Sequence, residues 1–476
     1  MSAPSPRFDP GIRPRRGSRS PRFSNRFVAT SLVALAAATV HAALPPGYGG
    51  ELRLPAPTAL AAPSPNDATP FGALVAAAVF DGLYTLADDG CVVPSLAQGP
   101  VTAREDGTLV VTLRENVRRH DRRTLRALDV ARALRRASRE QPHWLAGFAF
   151  DGPELDVRHE GERTLLFAPP TTSFPAPTDT LARRLAAAPL AIDLGRGIGT
   201  GPYRASLRGN VLELRSFRAA ARGAAYVDVI RFEPPRSRDD EIRTFELGQL
   251  DASWQGASLY GQRESSARSH ALPHDTAVLL VPRGAFATST ETLNAAVDRR
   301  RFARAGLRPN DRLAEGLAPA RLAHRGPLPR AARMVVRAGD AFELTLASAL
   351  AARLDELGVR LGVVEVAPER FERERASADL SLAYAVPALP GADARVASAI
   401  YAATGDANAA GRVLDAAPAD VVSASSTLPA IVLGHLDRTL HHREPLRGVT
   451  HDALGRLRLE RLHLPRNPSA ASSEDE

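Results

Sequence analysis

The 476-residue chain carries 61 basic and 53 acidic residues, and every basic one is arginine. Without lysine it can hold no phosphate-loop lysine, no Schiff-base lysine for pyridoxal chemistry and no Ser-x-x-Lys acylase motif. The length allows two or three cores, since a single core stops growing at roughly 250–300 residues, and 44% hydrophobic with 24% charged residues is the balance of a soluble globular protein.

Residues 1–42 hold seven arginines (Arg7, Arg13, Arg15, Arg16, Arg19, Arg22 and Arg26) and one acid, Asp9, so a net +6 of the formal +8 sits there. The remainder, near +2 with both signs interspersed, lacks the basic stripe a nucleic-acid partner requires. This leader has the parts of an export signal: the arginines, the apolar run from Phe27 to Val40, and small residues around Val40-His41-Ala42. The run is shorter than the roughly 18–20 residues that span a bilayer, which favours cleavage over anchoring. Arg15-Arg16 hints at a twin-arginine signal but lies far from the apolar run, so general secretion is expected. The single cysteine, Cys91, lies well past that site, which excludes a lipid-bearing cysteine and an internal disulfide. The expected location is a periplasm-like space.

Next in chain order, Glu51–Pro55 alternates and predicts a strand, Pro55–Pro70 a loop, and Phe71–Phe80 an apolar helix. Thr108–Leu113 reads as a strand, Leu125–Ser138 as a helix with Leu128, Ala131 and Leu134 on one face, and Thr164–Phe167 as a strand. Pro169–Pro177 leads into a helix ending near Ala188. Val211–Ser216 and Tyr226–Phe232 are strands; Ser237 opens a helix to Leu247, Gly248 stops it, and Leu250–Trp254 is extended. Thr276–Pro282 predicts a strand and Thr290–Ala305 a helix. Asp340 with Glu343 caps a helix over Ala341–Leu357, with Phe342, Leu346, Leu350, Leu354 and Leu357 as its stripe and Gly358 at its end. Strands at Val359–Val366, Asp379–Tyr384 and Ala430–Leu433 complete a βαβ rhythm that predicts a largely parallel sheet. Residues 466–476 form an acidic tail expected to be disordered.

Several short motifs punctuate these elements: Phe80-Asp81-Gly82-Leu83, Pro94-Ser95-Leu96-Ala97, Leu113–Asp121 running on to Leu128-Asp129-Val130, Gly199-Thr200-Gly201-Pro202-Tyr203-Arg204, and Leu247-Gly248-Gln249-Leu250-Asp251. In this order and spacing the chain resembles the peptide-binding (dipeptide, oligopeptide and nickel) family of ABC-transporter extracytoplasmic solute-binding proteins. The resemblance implies a two-lobed, periplasmic-binding-protein-like α/β fold with a hinge and an inserted peripheral α+β subdomain. It places the first lobe at 43–62, 190–262 and 430–465, the insert at 63–189 and the second lobe at 263–429. It also implies a monomeric receptor that delivers a peptide-like solute to permease subunits in the membrane, without cofactor, metal or catalysis.

Candidate site residues follow partly from that picture. Trp254 and Gln255, beside the expected hinge, suit a cleft wall, or Trp254 packs between the lobes with its N–H satisfied. Tyr384 is a third wall candidate, whereas Trp144 reads as a packing residue of the insert. Asp251 is expected to fix the hinge strand through backbone hydrogen bonds, and Gly199–Tyr203 to form a tight turn. His435, His441, His442, His451 and His463 lack metal-ligand spacing and read as solvated surface. His120-Asp121 belongs to a turn motif, and neither Gly-x-Ser-x-Gly nor His-Glu-x-x-His occurs.

Departures from the family pattern bear on the ligand. Members hold the ligand's α-amine with an aspartate in a Trp-x-x-Asp-x-x-Asp-Pro-like stretch; here the segment is Tyr384-Ala-Val-Pro387-Ala-Leu-Pro390-Gly391, with both acids lost. Arg122 stands where members have glycine after His-Asp, and the arginine usual ahead of the Ala296-Val297-Asp298-Arg299 element is replaced near Thr290. A buried ammonium without a carboxylate costs several kcal/mol, so the expected guest is a short or modified peptide, or another amphiphilic solute, without a free amine. Two other readings stand beside this one: a degenerate receptor with an interaction or sensory role, and a secreted hydrolase, which would need a nucleophile–base pair.

Overall fold

Leu52 and Leu54 in the strand Glu51–Pro55 point into a first apolar core, and the rest of that core comes from distant parts of the chain. The computed structural model describes residues 47–465 apart from 58–59, 68, 141, 146–149, 152–153, 172, 260–266, 274–275, 298–301, 303–306, 309–325 and 437. The expected leader, the acidic tail and Asp298-Arg299 of the Ala296–Arg299 element lie outside the described residues.

The first-lobe sheet runs Glu51–Pro55, Val229–Glu233, Val211–Ser216, Tyr203–Arg208. Its first pair is parallel, with Leu52 opposite Ile230, and the other two are antiparallel. Against it lies the helix Pro70–Val79, started by Pro70 and by Thr69, whose Oγ1 accepts the Gly72 N–H at 2.9 Å. Phe71 of this helix meets Phe232 of the sheet edge-on at 5.1 Å between centroids.

The insert has its own core. A four-stranded antiparallel sheet (Thr102–Ala103, Leu109–Thr112, Thr164–Phe167, Val157–Glu160) packs Val111, Leu165 and Phe167 against Val130 and Leu134 of the helix Ala127–Glu140.

The second lobe is a six-stranded sheet in the order Leu307–Arg308, Ile431–Leu436, Ala277–Pro282, Leu380–Ala385, Ala331–Arg337, Arg360–Val366. It is mixed, not largely parallel. Ala331–Arg337 pairs parallel with both neighbours, but the pairings of Ala277–Pro282 and of Ile431–Leu436 are antiparallel. Those two strands are where the chain enters and leaves the lobe, outside the βαβ rhythm. One face is covered by the helix Ala341–Asp355 through Leu346, Leu350 and Leu354. Leu357 is exposed, because the helix stops two residues earlier and Gly358 turns the chain at φ +78°. The other face carries the helices Ala392–Thr404, Ala407–Val413 and Pro418–Ser426. The helix after the strand Ala277–Pro282 spans Thr290–Ala296, and the rest of its expected length falls largely outside the described residues.

Two chain crossings join the lobes, one between Leu272 and Ala277 and one between Leu436 and Arg438, tied by Leu436 N–H to Thr276 C=O at 2.9 Å. On the first-lobe side they run into a small sheet of Ala252–Ser253, Arg438–His442 and Arg268–Leu272. His442 in this sheet, and His435 in the strand Ile431–Leu436, are buried rather than solvated. Among the described residues no helix is long and apolar enough to cross a membrane.

Candidate functional site

The sequence motifs converge on one knot. Gly199 N–H donates to His120 Nδ1 at 3.1 Å, and His120 Nε2–H donates to the Gly201 carbonyl at 3.0 Å. Burial lowers the His120 pKa, which keeps that neutral tautomer in place. Asp81, buried, accepts Thr200 Oγ1–H at 3.0 Å and Arg222 Nε–H at 2.6 Å. The two glycines are needed because the turn lies against the end of the helix Pro70–Val79: a Cβ on Gly199 would sit 2.3 Å from Val79 O, and one on Gly201 2.7 Å from Ala78 O. His120-Asp121 is therefore a structural turn. Asp251 likewise fixes backbone, accepting Arg53 N–H at 2.7 Å.

Beside this knot lies a cavity of about 730 Å³, in the range of small-molecule sites. Several parts of the described chain contribute to its wall: Phe80 and Asp81 after the first-lobe helix Pro70–Val79, Tyr84 and Trp144 from the insert, Phe371 and Tyr384 from the second lobe, and Asp452 with Arg456–Glu460 from the C-terminal segment.

Tyr384 lines this cavity, as the sequence suggests, and its O–H donates to Asp340 at 3.3 Å. Trp254 and Gln255 are not in the wall. The Trp254 indole N–H donates to Pro55 O at 3.0 Å, its ring packs on the first-lobe core, and both backbone N–H groups are held by Glu241 Oε1 at 2.6 and 3.1 Å. Trp144, read from sequence as packing, does both: it is buried in an apolar cluster shared with the second lobe and it lines the cavity. Sequence reasoning missed Arg337, Phe371, Arg375 and Tyr401; the helix Pro368–Arg375 is too charged along its length to stand out as a wall element.

Behind Tyr384 lies a buried charge cluster. Arg337 sits at the strand end with its guanidinium carbon 3.9 Å from the Phe371 ring centre and 5.4 Å from that of Tyr384, and it pairs with Glu343. Burial opposes the charge on Arg337, yet the Glu343 carboxylate and its neighbours outweigh this and raise its pKa. Burial also pushes Glu343 up to about 7 and raises Asp340, and two carboxylates sharing one guanidinium favour a retained proton. A folded-state pKa above the ordinary 4.5 stabilises the fold below that value, and the benefit is lost as pH rises to about 7. Unfolding free energy is therefore expected to fall across this window by at most about 1.4 kcal/mol per pH unit. Glu343→Gln should flatten the fall in urea titrations run at several pH values.

All five lining arginines are paired within the chain: Arg222 with Asp81, Arg337 with Glu343, Arg375 with Glu372, Arg456 with Asp452 and Arg458 with Asp88. Ser95 Oγ and Ser398 Oγ, buried in different walls, have no hydrogen-bond partner among the described residues. Among the described residues no group of three or more His, Cys, Asp or Glu side chains could hold a metal ion.

No protein-family model and no curated protein matches the sequence. Solved structures do match in shape. NikA from Staphylococcus aureus, in complex with Ni(L-His)2, is 14% identical with a TM-score of 0.66, covering 88% of this chain and 100% of its own. The murein tripeptide-binding protein MppA of Escherichia coli is 14% identical with a TM-score of 0.67, over 89% and 100%. AgaA of A. tumefaciens, in complex with agropinic acid, is 15% identical with a TM-score of 0.66, over 88% and 99%. The chain has the two-lobed fold of these proteins. Its cavity is lined from both lobes, and the Gly199–Tyr203 knot supports the first-lobe wall.

Proposed function

We propose that the protein is an extracytoplasmic solute receptor that encloses a small amphiphilic, peptide-like guest and delivers it to ABC-transporter permease subunits. The observation that carries this reading is the 730 Å³ cavity, built from both lobes and the insert and lined by aromatic rings among self-paired charges. Proteins of like shape have been crystallised with Ni(L-His)2, agropinic acid or the dipeptide Met-Leu. In keeping with these, the proposal includes export to a periplasm-like space, a monomeric state and no turnover; against the expected bounds of 63–189 for the insert, 263–429 for the second lobe and 430–465 for the return, the helix Pro70–Val79 and the strand Arg268–Leu272 go with the first lobe and the strand Ile431–Leu436 with the second.

One stretch of wall, the segment after Tyr384, favours a guest without a free amine there, although Asp67, Glu140 and Glu369 also line the cavity. After the strand Leu380–Ala385 the chain gives Val386, Pro387 and Ala388 to the wall, with no carboxylate, and the unpartnered Ser95 and Ser398 hydroxyls suit neutral polar atoms. Thermal-shift titration with matched N-acetylated and free di- and tripeptides tests this. Stabilisation by the acetylated series alone is expected; stabilisation by neither, together with no mass shift in native mass spectrometry of protein from its own host, would favour the degenerate-receptor reading instead.

Residue roles separate in the same assay. Tyr384→Ala should weaken the best-binding peptide about tenfold or more, as loss of an aromatic anchor does. Trp254→Phe should leave its affinity unchanged, because Trp254 faces Pro55 rather than the cavity.

A further inference from the structure

Besides the two crossings, a set of side-chain bonds joins the insert to the second lobe. We propose that Arg183 and Arg184, with Asp393 and Asp415, form a clasp that holds the two halves shut over the cavity and sets how fast a guest exchanges. This deepens the receptor reading and takes from it only that the halves part to exchange a guest.

The arginines are consecutive on the helix Pro177–Ala186 of the insert. Arg183 Nη2 donates to Asp393 Oδ2 at 2.9 Å and to Pro390 O at 3.3 Å, and its other Nη pairs with Asp415. Arg184 Nε donates to Asp415 Oδ2 at 2.9 Å and Nη2 to Leu414 O at 3.3 Å, while Nη1 reaches back to Trp144 O at 3.2 Å. Asp415 N–H donates to Asp393 Oδ2 at 3.0 Å, so the two acceptors also brace each other.

Three features mark a clasp rather than a surface ion pair. The Arg184 side chain is only 1% exposed, so its pairs are little screened. Burial works against its charge and lowers its pKa, and the Asp415 carboxylate offsets this only in part, so loss of Asp415 would strand a buried cation. Asp415 holds a left-handed backbone at φ +61°, a conformation that Asp and Asn accept more readily than most residues and that its paired carboxylate fixes here.

The clasp is also adjacent to the cavity on both sides. Ala186 and Ala187 follow the arginines into the wall, and Asp393 starts the helix whose Ser398 and Tyr401 line it. Every bond in it is made by the chain to itself, so it stabilises closure independently of guest contacts. Entry and exit then require these desolvated pairs to break together, which places opening, not guest contact, in control of exchange.

The test uses the whole mature chain and no guest, so its outcome does not depend on whether any peptide binds. Asp393→Asn with Asp415→Asn keeps shape and left-handed tolerance while removing both charges. Scattering should give the parent a radius of gyration near the roughly 22 Å of a compact body of this length, and the variant about 1 Å more. A dye on the native Cys91, exposed beside Gly90 at the seam with Pro390, should change emission in step. Exchanging the charges, Arg183→Asp with Asp393→Arg, should recover compaction that Arg183→Asp alone loses. Identical scattering and emission for parent and double variant, or a charge exchange that restores nothing in a protein whose circular dichroism shows it folded, would overturn the clasp. Should the double variant not fold, Arg183→Gln, on the more exposed arginine, gives the same two readouts.

Discussion

Replacing Asp81 with alanine is expected to cost about 3–5 kcal/mol, the usual penalty for stranding one partner of a buried ion pair. The carboxylate is wholly buried; it accepts both Thr200 and Arg222, while the other acids acting on Arg222 are Glu460 at 3.8 Å and Asp452. Arg222 would then face the cavity without its hydrogen-bonded partner, and the Gly199–Tyr203 turn would lose its anchor. Asp81→Asn should cost less, because the amide can still accept from Thr200 but no longer pairs as an anion. Urea midpoints of the three proteins check the order. Equal stability of alanine variant and parent would show that Arg222 finds another acid at no cost.

Gly199→Ala carries the other large effect. A methyl 2.3 Å from a carbonyl oxygen is far inside any tolerated contact, and that oxygen, Val79 O, already accepts the Gly201 N–H at 3.0 Å. Since neither backbone can yield without releasing the His120 bridge, a loss of about 1–3 kcal/mol or more is expected. Gly161→Ala, where a Cβ meets nothing, is the control; its φ of +61° carries only the left-handed backbone cost of about 1 kcal/mol. A Gly199→Ala protein as stable as the Gly161→Ala control would mean that the turn moves freely. Both results bear on function, since this knot positions Phe80, Asp81 and Gly82 in the cavity wall.

Elements with a strong local signal were legible from residues alone. The helix Ala341–Asp355 has its Asp340 cap accepting from Phe342 and Glu343 at 3.1 and 3.0 Å, and Ser237 caps Arg238–Glu246 through Asp240 N–H at 3.1 Å. The helices over the second face of the sheet were not: Ala392–Thr404 is alanine-rich nearly all round and starts at Gly391 without a side-chain cap, so neither periodicity nor capping reveals it. Sheet direction was not legible either, because the antiparallel strands at the lobe boundary are set by where the chain crosses, which no local pattern records.

The site divides in the same way. Tyr384 reaches the wall from a strand that sequence could find, whereas Trp254, equally plausible as an aromatic beside a hinge, turns its indole to Pro55.

What the sequence determined by itself was the chemistry available: arginine as the only cation, a single cysteine, and glycines with an aspartate and a histidine at spacings that fit one kind of turn. Those are properties of residue type and local order. Which charges neutralise one another was decided only by tertiary structure. Arg184 meets Asp415, and Arg222 meets Asp81, across separations of 231 and 141 residues. Pairing at such range depends on how whole elements pack, and a side chain's sequence neighbours carry no record of it.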